Sequence, residues 1–160
     1  MNSQPTASSV IDPSDWVEYA AREHPRRPFL RTPAGRQLSY EALREKSASL
    51  ASALQWRGVA CGDRVAARVE KSLEAVLLYV ACLRMGAVFV PINVASAPNE
   101  LDYLLRDSKP RIAIVPPGER AALAPLADRA GIQCLETLAA DGEGSLSELT
   151  RLCDRERKPL

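Results

Sequence analysis

Histidine is almost missing from this chain: its 160 residues contain one, His24. It sits ahead of Pro25 with no neighbouring base or acid to work with, so it reads as a surface histidine rather than a general base. An excess of either charge is missing too. Twenty-one Lys and Arg against 20 Asp and Glu leave a net charge of +1. A balance that even gives no electrostatic case for nucleic acid or an anionic membrane as partner. Arg26-Arg27 reads as solvated surface, and Trp16, Trp56 and the four tyrosines do not interleave with a basic track. No apolar run approaches the roughly 18 residues that a membrane span needs. The first 20 residues hold no Lys or Arg and no apolar core of signal length, so neither secretion nor mitochondrial import is expected.

Paired cysteine motifs are lacking as well. Cys61, Cys82, Cys134 and Cys153 form no Cys-x-x-Cys pair. They are expected to be reduced, as in a cytoplasmic protein, with zinc or a disulfide framework as the alternative. Cys82 falls within an apolar helical stretch, where a free thiol behaves as a small hydrophobe.

Motifs that carry chemistry are scarce. No glycine-rich phosphate loop joins a strand to a helix, and no Ser lies in a Gly-x-Ser-x-Gly elbow. The junction Val69-Glu70-Lys71-Ser72 has no glycine. It offers Lys71 and free helix amides to an anion; the plainer alternative is a capped helix with a solvated Lys and Glu. Asp102 and Glu100 read as solvated, because paired carboxylates for acid–base work need burial. The residues therefore name no catalytic, cofactor-binding or metal-binding position.

What is present is an ordinary globular composition, 46% hydrophobic and 26% charged. The length suits one domain, or one lobe of something larger. Three segments are expected: an N-terminal arm and helix over 1–27, an α/β lobe over 28–152, and a charged tail over 153–160. Residues Met1 to Ser9 are read as loose, and Asp12-Pro13-Ser14-Asp15 as a helix start with Trp16, Val17 and Ala20 on its apolar face. Phe29 to Thr32 and Arg36 to Ser39 flank Pro33-Ala34-Gly35 as a hairpin. Ser39 and Ser72 are expected helix N-caps, and Gly58 a left-handed stop.

From Arg64 the chain reads strand, helix, strand, helix, strand, helix, strand. The strands are expected over 64–70, 87–91, 111–115 and 132–135. The stretch between Ser72 and Gly86 reads as a helix apolar nearly all round, and Pro125 as a kink within Glu119 to Ala130. Ser145 is expected to cap a short helix through Leu152. Short apolar strands separated by helices predict an α/β fold, a largely parallel sheet with helices on both faces.

Two segments then stand out. Leu38-Ser39-Tyr40-Glu41-Ala42-Leu43 resembles the first core motif of the adenylate-forming (AMP-binding) enzymes, which include acyl-CoA synthetases and peptide-synthetase adenylation domains. Leu83-Arg84-Met85-Gly86-Ala87-Val88-Phe89-Val90-Pro91-Ile92-Asn93 resembles the second. Between them, Gly58-Val59-Ala60-Cys61-Gly62-Asp63-Arg64-Val65 is similar to the family's Gly-x-x-x-Gly-Asp-x-Val turn. Asn93 in place of an aspartate leans towards acyl-CoA synthetases. The stretches Val69 to Ala75, Leu78 to Arg84 and Asn99 to Tyr103 resemble malonyl-CoA synthetases in particular.

The resemblance implies the first lobe of an acyl-CoA synthetase N-terminal domain, and a parent reaction that joins a carboxylate, ATP and CoA into acyl-CoA, AMP and pyrophosphate. It implies ATP, Mg²⁺ and CoA for the parent. The family's phosphate loop, Mg²⁺-binding glutamate, ribose-binding aspartate and catalytic lysine match no position here, so this chain is expected to be inactive alone and to bind no cofactor. The expected partner is the remainder of the synthetase, a second αβ lobe and a C-terminal cap, or else a second copy of the chain. A non-catalytic interaction or scaffold module derived from the family is the alternative, and an unrelated ligand-binding α/β domain a third.

Overall fold

The computed structural model describes residues 13–157. The expectations for Met1 to Ser9 and for Asp12 lie outside the described residues. Helix α1 runs Pro13–Glu23, with Val17 and Ala21 buried while Trp16 stays 37% exposed. Strands β1 (Pro28–Arg31) and β2 (Gln37–Ser39) pair antiparallel as a two-stranded hairpin. The turn places Gly35 at φ +83°, a backbone region closed to most side chains.

Helix α2 (Tyr40–Trp56) starts as expected, since Ser39 Oγ accepts from Ala42 N at 3.2 Å. It ends where Gly58 takes φ +80°. The remaining elements are β3 (Arg64–Ala67), α3 (Leu73–Arg84), β4 (Val88–Pro91), α4 (Pro98–Ser108), β5 (Ile112–Val115), a one-turn 3-10 element over Pro117–Glu119, α5 (Arg120–Arg129), β6 (Cys134–Thr137) and α6 (Ser145–Arg157). The four strands β3 to β6 form one sheet in the order β4-β3-β5-β6, with every pairing parallel.

Alternation along the central strands divides the core in two. Val65 and Ala67 of β3 and Ile112 and Ile114 of β5 join a cluster with Val17, Leu43, Leu54, Leu78 and Leu146, from α1, α2, α3 and α6. Ala66 and Ala113, the intervening residues, face a smaller cluster with Leu101, Leu105, Ala127 and Ile132, from α4, α5 and the turn that follows. Helices thus cover both faces, and the parallel sheet satisfies the expectation for strands that are apolar throughout.

Several expected boundaries move. The strand expected over 64–70 stops at Ala67: Arg68 still gives its amide to Ile114 O at 2.8 Å, and beyond it the chain leaves the ladder. The last strand shifts from 132–135 to Cys134–Thr137. Ile132 still donates to Ala127 O at 3.0 Å as part of the α5 exit around Gly131, and its side chain packs on the α4–α5 cluster. Helix α6 passes Leu152 and continues to Arg157 because its buried stripe is Leu146, Leu149 and Cys153, spaced for one helical face. Leu152, the expected end, is 55% exposed. Helix α3 buries Leu73, Leu77, Leu78, Val80, Ala81 and Cys82 but leaves Tyr79 46% exposed, so it is not covered all round.

Candidate functional site

In an open parallel sheet, ligands bind outside the carboxyl ends of the strands, where neighbouring strands send their helices to opposite faces. That point lies between β3 and β5. Helix α3 leaves β3 towards the larger core cluster, while α5 follows β5 onto the smaller one.

Arg68 fills this position. One guanidinium nitrogen, Nη1, pairs with Glu119, and Nη2 donates to the Val94 carbonyl. The side chain is 11% exposed, against 40% for that of Glu119. Three loops are tied by one residue: those after β3, β4 and β5. Sequence reasoning missed Arg68 because it lies in the stretch read as strand, and its partners are 26 and 51 positions away.

A groove of about 750 Å³ lies along the same carboxyl edge, on the α3 side. Leu30, Val69, Val76, Tyr79, Phe89 and Pro91 give it an apolar lining. Tyr79 and Phe89 stack edge-on with centroids 5.4 Å apart. Lys71 is on its border and exposed, as the solvated alternative requires. The start of α3 is closed by Ser72, whose Oγ accepts from Ala75 N at 3.1 Å. Asn93 ends the second motif in a tight turn, its Oδ1 accepting from Ala95 N at 3.0 Å.

A third cluster is buried at the opposite edge of the sheet. Glu136 of β6, 2% exposed, meets Arg57 Nη2 at 2.6 Å and accepts a hydrogen bond from Ser145 Oγ. Thr137 N donates to Ser145 Oγ at 3.0 Å, and Ser145 N donates to Thr137 Oγ1 at 2.8 Å. Ser145 therefore ties α6 to β6 instead of capping its own helix. Burial first, then the Glu136 carboxylate, pushes the Cys134 thiol pKa up, so the thiol is held protonated. The carboxylate is already engaged by Arg57, and no histidine approaches: His24 is exposed at the end of α1. The cluster is built to join elements and has no base for a nucleophile.

The remaining sequence candidates stay apart. Glu100 is exposed, but Asp102 is not simply solvated: its side chain, 25% exposed, lies 3.0 Å from Arg106 Nε and 3.5 Å from Arg129 Nη2. That triad links α4 to α5. Cys61 is exposed and Cys82 buried, with all four cysteines free. Among the described residues no group of three or more His, Cys, Asp or Glu converges to hold a metal ion. The β3–α3 junction, Val69-Glu70-Lys71-Ser72, has no glycine. Among the same residues no helix is long and apolar enough to cross a membrane.

Comparison with known proteins agrees with this architecture. The profile of the AMP-binding enzyme family matches residues 17–158. The crystal structure of apo MatB from Rhodopseudomonas palustris is 38% identical and superimposes with a TM-score of 0.75, over 84% of this chain and 28% of that one. The fatty acid–[acyl-carrier-protein] ligase ScoC of Streptomyces coeruleorubidus is 30% identical over 125 residues, 78% of this chain and 23% of that protein. Tyrocidine synthase 3 of Brevibacillus parabrevis is 42% identical over 72 residues, 45% of this chain and 1% of that protein. The chain spans a minor part of the length of each.

Proposed function

The chain belongs to the AMP-binding enzyme family, and from that premise we propose that it is the first αβ lobe of an ATP-dependent acyl-CoA synthetase. The parent would join a carboxylate to ATP's α-phosphate and pass the acyl group to CoA. This lobe supplies the wall that supports the site, and the groups acting on ATP belong to other polypeptide. The observation that carries the reading is the family match over residues 17–158, together with the likeness to MatB over 84% of the chain. The two motifs support it by their places in the fold. Leu38 to Leu43 is the β2-to-α2 junction, with Leu38 and Leu43 buried. Leu83 to Asn93 is the exit of α3 and the whole of β4. Both join helix to strand, and neither presents a reacting group.

Malonate, or another short acid, is the proposed substrate. The stretches Val69 to Ala75 and Asn99 to Tyr103 support it, as does the likeness to MatB. The partner is the remainder of the synthetase or a second copy. The groove beside edge strand β4 leaves Tyr79 46% and Val94 38% exposed, and exposed apolar surface of this kind marks an interface.

ATP–pyrophosphate exchange tests the reading. The product of the longest reading frame containing these residues is expected to exchange in the presence of malonate, and the 160-residue chain alone is expected not to. Exchange by the 160-residue chain unaided overturns the supporting-lobe reading. Exchange driven only by long-chain or aromatic acids removes the malonyl assignment and leaves the family reading standing.

A further inference from the structure

We infer that Arg68 is the receptor of an oxyanion-binding position at the carboxyl edge of the sheet, held shut by Glu119, and that a carboxylate or phosphate group opens it by taking the place of the Glu119 carboxylate. The inference does not depend on the acyl-CoA synthetase reading.

Placement is the first support. Arg68 follows β3 directly and enters the divide between β3 and β5, where helices leave to opposite faces and an open parallel sheet receives its ligands. Preorganisation is the second. Its amide is fixed to Ile114 O at 2.8 Å, and Nη2 is fixed to the Val94 carbonyl, so the guanidinium is aimed without further ordering. A planar guanidinium held in this way suits the paired oxygens of carboxylate or phosphate.

The third support is the kind of counter-charge. A guanidinium buried to 11% exposure needs an anion beside it. The core does not supply one. Glu119 supplies it from the one-turn element that follows Pro116, with its carboxylate 40% exposed. Such an acid can swing into solvent at little cost, whereas Arg68 cannot. The pairing also leaves Arg68 incompletely satisfied, since Nε is buried with no hydrogen-bond partner. Glu136 shows the opposite design: there the carboxylate is buried and the arginine reaches it from a more exposed position. Beneath Arg68, Ala66, Leu101, Leu105 and Ala113 close the sheet face, so a ligand would rest at the rim and not enter the core.

Calorimetric titration of the 160-residue chain at fixed ionic strength provides the test, with inorganic pyrophosphate in one arm and malonate in the other. Wild type, Glu119→Gln and Arg68→Gln are compared, with circular dichroism confirming that each is folded. Saturable binding of at least one oxyanion is expected, and the arm in which it appears identifies the source. Glu119→Gln is expected to tighten it about fivefold by removing a competing half-exposed ion pair. Arg68→Gln is expected to abolish it. If Arg68→Gln does not fold, the comparison of wild type with Glu119→Gln decides. No saturable binding by Glu119→Gln, equal affinity in Glu119→Gln and wild type, or binding that survives Arg68→Gln overturns the proposal.

Discussion

Arg57 Nη2 stands 2.6 Å from Glu136 Oε1, joining the end of α2 to the middle of β6 across 79 positions of sequence. The Arg57 side chain is 35% exposed and that of Glu136 3%. The two partners are therefore unequal. Removing the arginine strands a carboxylate in the interior; removing the carboxylate's charge leaves a guanidinium that water can reach.

That asymmetry predicts that Arg57→Ala costs more than Glu136→Gln. Breaking a fully buried pair costs about 3–5 kcal/mol, and exposure of Arg57 lowers this to about 2–3 kcal/mol. The amide in Glu136→Gln keeps an acceptor for Ser145 Oγ, so about 1 kcal/mol is expected there. Urea denaturation of the two variants checks the order. A Glu136→Gln protein less stable than Arg57→Ala would refute the account.

Gly86 ends α3 at φ +69°, and a Cβ built on it would lie 2.7 Å from Cys61 Sγ. Gly86→Ala is expected to lose about 1–2 kcal/mol from the left-handed backbone alone, with the sulfur contact added. The double variant Gly86→Ala, Cys61→Ala is expected to recover the contact portion and keep the backbone portion. A double-mutant cycle with no coupling between the two positions would show that the contact carries no energy.

Cys82 is fully buried in α3, and burial pushes its thiol pKa up to about 12. The unfolded chain binds fewer protons than the folded one between the ordinary thiol value, about 8.5, and that raised value, so stability falls as pH rises through this window. The contribution is fully present below the lower limit. Cys82→Ala is expected to flatten the alkaline loss measured as denaturation midpoint against pH. Identical slopes for the two proteins above pH of about 9 would rule out this source of alkaline instability.

Much of the fold was legible because local signals agreed with one another. Ser39 and Ser72 precede apolar periodic stretches and cap them. Gly58 and Gly86 follow such stretches and take positive φ. Arg111 to Val115 reads as a buried strand, and Ile112–Val115 is one, with all four residues buried. Boundaries failed where a long-range bond set them. β3 ends at Ala67, just before Arg68 reaches across to Val94 and Glu119, and α6 outlasts Leu152 because Cys153 has a core to enter. Of the candidate site, the groove's border at Val69 to Ser72 was legible as a strand-to-helix junction, and the charge pairs were not. Nothing next to Arg68 or Glu136 in the chain reveals its partner, and Asp102 looked solvated because Arg129 approaches from another helix.

The amino-acid order alone specified the class of fold and the family, since periodicity, caps and the two junction motifs act within a few residues of one another. Which charges meet was settled only by tertiary structure. The parallel crossovers carry β3 and β5 side by side and the end of α2 over β6. Electrostatic partnership depends on distance in space, and only the folded chain sets those distances.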